Sequence, residues 1–178
     1  MILELSDTEI PLGRSSIILR DRDVVKKYYI YGSVKDGAGW DRQSISEVKL
    51  TTEMLKMFHP DLFVDFEITK DYYCVITRYI DHTNSLLKPY EVNLKNYLRL
   101  VEVFGYDKSK TDLNCYNLVY DNIDTPYILD WDNYVDFDCE ESAYDWYKNE
   151  LTGFTWLEHY NITKENAESI FDQLWKNA

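Results

Sequence analysis

The sequence predicts an α+β fold with a β-rich first lobe and a mainly helical second lobe. The order of elements along the 178 residues predicts it: strands first, then one helix, two more strands, and from residue 90 onward mostly helices. An apolar fraction of 45% with 16% aromatic residues supplies a core of matching size.

Ile17-Ile18-Leu19 and Val24-Val25 flank the polar stretch Arg20 to Asp23, which predicts a β-hairpin. In its second strand Val24 and Lys26 share one face and Val25 and Lys27 the other. Residues 32–41 hold three glycines and read as a loop. Residues 44–58 read as a helix. Ser44 or Ser46 is its cap, Val48, Leu50, Leu55 and Phe58 its apolar positions, and His59-Pro60 its stop. Strands follow at 62–68 and 72–80 around the turn Lys70-Asp71. A second helix is expected over 90–104, with Leu94, Tyr97, Leu98, Val101 and Phe104 on one stripe. A polar loop at 105–111 leads to a pair of short strands around a turn at 121–126. Two further helices are expected at about 140–151 and 163–176, the latter opening on the capping sequence Asn161-Ile162-Thr163. The whole reads as a single domain, with lobes of about residues 1–80 and 81–178.

Composition narrows the function. The net charge is −13. Residues 1–80 carry 13 acids and 11 bases, whereas residues 81–178 carry 19 acids and 8 bases. Such a surface repels phosphate backbones, so no nucleic-acid partner is expected, and a partner with a basic surface is. No apolar run could span a bilayer and no leader is visible, so a cytoplasmic protein without membrane contact is expected. Cys74, Cys115 and Cys139 are scattered and read as reduced thiols, the first two in apolar runs. The three histidines make no metal-ligand pattern. Residues 121–150 hold ten acids and one lysine, without the spacing of a calcium loop. Trp131, Trp146, Trp156 and Trp175 read as packing residues.

The chemistry-bearing pattern is Asp112, Asn117 and Asp130. Phosphoryl transfer needs a carboxylate to orient and deprotonate the acceptor hydroxyl. It also needs oxygen donors for a hard divalent cation that bridges phosphates. Asp112-Leu-x-x-x-Asn117, a short apolar strand, a turn and Ile128-Leu129-Asp130 offer those groups. The hairpin between them should bring Asn117 and Asp130 together.

The stretch Thr111 to Tyr134 resembles the catalytic and metal-binding loops of the protein kinase-like superfamily, which includes the aminoglycoside phosphotransferases. Ile-Leu-Asp130-Trp131-Asp132 is similar to the spelling used by the latter. Upstream, Val24-Val25-Lys26 is similar to the strand whose lysine holds the α- and β-phosphates. His59-Pro60 resembles the pair that follows the helix supplying that lysine's glutamate. The resemblance implies a two-lobed kinase-like fold with a shortened helical second lobe, of the kind used by phage or bacterial accessory kinases, and a requirement for ATP and Mg²⁺. Asp112 would be the catalytic base, and Asn117 and Asp130 the metal ligands. Lys26 would hold the phosphates, with Glu47 as its partner and Glu53 as the alternative. Backbone groups of Arg78, Tyr79 and Ile80 would meet the base, between apolar walls from Val24 and Leu118. Pro11 to Ser16 would cover the phosphates.

The chain departs from the pattern at three places. The covering loop has one glycine, Lys110 and Thr111 stand where His and Arg are usual, and only 48 residues follow Asp130. The expected activity is an ATP- and Mg²⁺-dependent kinase acting on a protein hydroxyl. The rival is a pseudokinase that binds nucleotide or a partner without transfer. An acidic interaction protein with chance motif matches is the third reading.

Overall fold

The computed structural model describes residues 17–30, 45–69, 72–84, 87–106, 108–109, 113–131 and 135–177. It has the α+β composition expected, with five helices and three small antiparallel sheets among these residues. The chain divides into two compact units, Met1–Ile80 and Asp81–Ala178.

The N-terminal unit is built on one sheet. β1 (Ile17–Asp21) and β2 (Val24–Ile30) form the predicted hairpin, tighter than expected. Its link is the pair Arg22-Asp23, with Arg22 in the left-handed region at φ 54°. α1 (Ile45–Phe58) precedes β3 (Phe63–Ile68) and β4 (Tyr72–Arg78), and the sheet order is β1-β2-β4-β3. β4 is central, and its run Tyr73-Cys74-Val75-Ile76 is buried without alternation, as a strand covered on both faces requires. β3 is an edge. Val64, Asp65, Glu67 and Ile68 are exposed there, and an irregular register between Phe63 and Asp65 breaks its outer face. The turn between β3 and β4 is closed at its neck, where the Tyr72 N–H donates to Thr69 Oγ1 at 3.1 Å and the Thr69 N–H to the Tyr72 carbonyl at 2.8 Å.

α1 corrects one expectation. It buries Thr51, Thr52, Met54 and Leu55, whereas Leu50 is 38% exposed. The buried stripe follows the 51-54-55 spacing of a helix face, about a third of a turn from Leu50. His59 is the stop predicted: it is buried, its N–H donates to the Leu55 carbonyl, and its own carbonyl accepts from Leu62.

The C-terminal unit is helical with two small sheets. α2 (Tyr90–Phe104) buries Leu94, Tyr97, Leu98, Leu100 and Val101. It ends at Gly105, whose φ of 81° with ψ near 180° suits glycine alone. Around it lie β5 (Thr83–Asn84), β6 (Lys108–Ser109), β7 (Leu118–Tyr120), β8 (Pro126–Ile128) and β9 (Val135–Asp136). These pair in the orders β5-β7-β8 and β6-β9.

α3 (Glu140–Leu151), α4 (Phe154–Tyr160) and α5 (Lys164–Trp175) complete the unit. Thr163 caps α5, its hydroxyl accepting from the Asn166 N–H as the capping sequence implied. Between α3 and α4 stands Gly153, where a Cβ would come within 3.1 Å of the Asn149 carbonyl oxygen, so a side chain there would crowd the corner. Ala143, Tyr147, Leu151, Trp156, Ala167 and Phe171 form the helical core. Lys148 on α3 reaches Asp172 on α5 at 2.8 Å, and Tyr144 donates to the same carboxylate at 2.6 Å. Burial pushes the Asp172 carboxyl up, but these two bonds outweigh it and hold its pKa below the ordinary value. Cys74 and Cys115 are buried free thiols and Cys139 an exposed one. Among the described residues, no helix is long and apolar enough to cross a membrane.

Candidate functional site

In the C-terminal unit the candidate site is the segment 113–131. It starts as a loop folded around Asn114. The Asn114 side-chain oxygen accepts from the Tyr116 N–H at 3.0 Å, and its carbonyl accepts from the Asn117 N–H at 3.0 Å. Asparagine does this readily because its short amide mimics a backbone turn. The loop then enters β7, whose three residues are all buried, Leu118 completely.

The turn to β8 is built by Asp121. One of its carboxylate oxygens accepts from the N–H groups of Ile123 at 3.0 Å and Thr125 at 2.8 Å. The Asp121 N–H closes on the Thr125 carbonyl at 3.1 Å, and Asp124 takes the positive φ of 65° that the turn needs. This turn sets the register, with Leu118 opposite Ile128 and Tyr120 opposite Pro126.

That register carries the pairing one step further. The Leu129 N–H donates to the Asn117 carbonyl at 2.8 Å. Asn117 therefore stands opposite Leu129 at the open end of the hairpin, with Asp130 the next residue along, and both Asn117 and Asp130 are half-buried. The Trp131 indole N–H donates to the Ile128 carbonyl at 2.6 Å and its ring is buried, so the backbone of Asp130 is bracketed on both sides. An amide and a carboxylate are the oxygen donors that a hard cation takes. Among the described residues, no group of three or more His, Cys, Asp or Glu side chains is gathered so as to hold a metal ion. Asp112, with Lys110, Thr111 and Asp132, lies outside the described residues.

The loop is tethered to the helices beneath it. The Tyr97 hydroxyl on α2 donates to the Asn114 carbonyl at 2.5 Å, and the Trp156 indole N–H on α4 donates to the Leu113 carbonyl at 2.9 Å. The Tyr116 hydroxyl is hydrogen-bonded to His159 Nε2, with the two rings edge to face at 4.8 Å. Under β7, Tyr120 donates to the Asn93 side-chain oxygen at 2.8 Å and accepts from Asn96 at 2.8 Å. Burial raises the Tyr120 pKa, the Asn96 bond opposing it. None of these tethers was anticipated as part of a site. The available signal was chemical: a buried Trp or Tyr needs a partner for its N–H or O–H, and loop carbonyls are the partners at hand.

In the N-terminal unit, Val24 and Lys26 occupy one face of β2, opposite Arg78 and Ile76 of β4. The Lys26 ammonium lies 3.4 Å from Asp21, its hairpin neighbour, and is 28% exposed. It also faces Cys74. Burial pushes that thiol up to about 12, the Glu67 carboxylate adds to the rise, and Lys26 opposes it. Glu47 is in the first turn of α1 and its side chain lies outside what the structure describes. The alternative, Glu53, is exposed and bonded to Lys56 at 2.7 Å.

The predicted hinge residues use their backbone donors internally. The Arg78 N–H goes to the Leu62 carbonyl at 2.8 Å and the Tyr79 N–H to the Asp23 carbonyl at 2.6 Å. Neither N–H can serve a base edge without giving up that bond. The Arg78 guanidinium meets Asp61 at 3.1 Å, and Tyr79 lies beneath the Arg20 guanidinium at 3.4 Å. Ile80 is buried. The proposed covering loop, Pro11 to Ser16, is outside the described residues.

No protein-family model and no curated protein matches the sequence. Solved structures do. A crystal structure of WbdD aligns with a TM-score of 0.53 at 11% identity, covering 92% of this chain and 44% of that one. WbdD co-crystallised with the kinase inhibitor LY294002 gives 0.53 at 11% identity, covering 93% and 44%. Monomeric WbdD gives 0.54 at 10% identity, covering 89% and 45%. WbdD is a bifunctional kinase-methyltransferase. This chain thus spans less than half the length of the WbdD chains, and at such identity the likeness is one of fold: a mixed α+β architecture similar to that of a kinase-bearing protein.

Proposed function

We propose that the chain is a kinase-like phosphotransferase that uses ATP and Mg²⁺, with the two units acting as the lobes of a shortened kinase-like fold. What supports this reading is the open end of the β7–β8 hairpin, where the Asn117 carbonyl accepts from the Leu129 N–H at 2.8 Å, one residue before Asp130. The fold likeness to WbdD, which spans most of this chain, supports it.

Asn117 and Asp130 would hold the metal, whose role is to neutralise charge on the phosphate oxygens. Asp112 would orient the acceptor hydroxyl and accept its proton. Lys26 would turn from Asp21 to the α- and β-phosphates, with Glu47 holding it there. That exchange is inexpensive, because a half-exposed ion pair contributes at most about 1 kcal/mol. Val24 and Leu118 would bound the base, and a hydroxyl of a protein, one with a basic surface, would be the acceptor.

A second reading is a pseudokinase that binds nucleotide without transfer. It is favoured by the two hinge N–H groups being already engaged and by the Lys26–Asp21 pair. Thermal shift with Mg²⁺-ATP and transfer from labelled ATP separate the two readings. A kinase is stabilised by Mg²⁺-ATP and incorporates label. Asp130→Asn should lower incorporation by about 10²–10³-fold, and Lys26→Ala should chiefly raise the ATP requirement. Stabilisation without incorporation means the pseudokinase. Full activity in both variants rules out this site.

A further inference from the structure

We propose that Trp156 and His159 of α4 are positioning residues that hold the loop 113–117, and through it Asn117, in its working geometry. The inference rests on the phosphotransferase reading. It starts from the spacing of the two residues, three positions apart and so neighbours on one side of a short helix.

Each reaches the loop at a different point. Trp156, only 1% exposed, sends its indole N–H to the Leu113 carbonyl at 2.9 Å. It is locked beneath the loop by Tyr90 and Tyr97 at 5.8 Å and by Tyr160 stacked at 5.9 Å. His159 holds Tyr116 from the outer side through the bond between its ring and the Tyr116 hydroxyl. Tyr116 is 53% exposed, so this contact does not serve burial. What it does restrain is the residue next to Asn117. The Asn117 N–H in turn rests on the Asn114 carbonyl, the same oxygen that takes the Tyr97 hydroxyl. Side-chain bonds thus restrain Leu113, Asn114 and Tyr116, and α4 supplies two of the three. A segment that must hold a cation and an acceptor within fractions of an ångström gains rate from such restraint, because small displacements at a reacting centre are costly.

The test uses the full chain and four substitutions, read by ATP turnover with Mg²⁺, the ATP KM and the thermal midpoint. Trp156→Phe deletes the indole donor and keeps the ring. His159→Ala deletes the outer tether, His159→Gln keeps a side chain able to reach Tyr116, and Tyr116→Phe removes the hydroxyl. Trp156→Phe and His159→Ala are expected to lower kcat about tenfold, with the ATP KM unchanged within about twofold. His159→Gln should recover most of the loss. Tyr116→Phe combined with His159→Ala should be no worse than either alone, since both remove one contact. Unchanged kcat in Trp156→Phe and His159→Ala, or losses that follow the thermal midpoint with no recovery by glutamine, overturn the role of α4 and leave the phosphotransferase reading standing. A wild-type chain with no turnover overturns both.

Discussion

The two hairpins of the molecule are held in opposite ways. β1–β2 is long and only partly buried: of its described side chains Leu19 and Tyr29 are buried and the rest are half-buried or exposed. Its Lys26 pairs with its own Asp21, and its turn forces an arginine into the left-handed region. β7–β8 is three residues a strand, yet five of those six residues are buried. Its turn rests on one carboxylate, and the loop leading into it is tied to two helices. Length therefore does not decide which hairpin is better ordered. Side-chain bonds to main-chain groups do, and they gather along the segment 113–131 that carries Asn117 and Asp130. The segment carrying Lys26 has instead an ion pair that solvent screens.

Four measurements break or sharpen this contrast. Trp156→Ala removes a fully packed indole and its bond to Leu113, and should cost about 3–5 kcal/mol in denaturant unfolding. A much smaller loss would mean that α4 supports the loop weakly. In the other unit the largest effect depends on pH. Burial pushes the Cys74 thiol from its ordinary 9.0 up to about 12 in the folded chain. Its contribution is intact below pH 9 and is lost as pH rises through that window, by roughly 4 kcal/mol at most. Wild type should lose stability more steeply than Cys74→Ala between those pH values, and parallel curves would refute it. Asp121→Ala deprives two turn N–H groups of their acceptor and should cost about 1–2 kcal/mol, with faster amide exchange in β7 and β8. Smallest of all, Asp21→Ala should change stability by less than about 1 kcal/mol, since both partners of its pair are solvent-accessible. A loss as large as that of Asp121→Ala would show the two hairpins to be equally dependent on polar contacts.

What the sequence displays is what repeats or punctuates. The hairpin at 17–30, the helices at 45–58, 90–104, 140–151 and 164–175, and the strands at 63–68 and 72–78 all carry periodic apolar positions or clear stops, and all are present. β5, β6 and β9 escaped because two-residue strands have no period and their partners are distant, as with Thr83 opposite Tyr120. α4 escaped because it is seven residues long, begins after a glycine, and buries only Trp156 while Phe154 is 77% exposed. The hairpin that links Asn117 to Leu129 was legible from two apolar runs flanking a short polar turn. The tethers were not, because a carbonyl acceptor leaves no trace in residue identity. The hinge is the instructive case. The strand expected over 72–80 forms over 72–78, and only the register tells that the N–H groups of Arg78 and Tyr79 are spoken for by Leu62 and Asp23.

The Asp121 turn acts as a gauge block. Because side chains alternate along a strand, one residue added or removed between Tyr120 and Pro126 would send Leu118 and Tyr120 outward and slide Asn117 about 3.4 Å along its neighbour. Substitutions inside this hairpin can be absorbed in degrees; changes of length cannot. In any lineage that keeps the chemistry, this five-residue span should accumulate exchanges of letter and no indels, while the loops elsewhere vary in both.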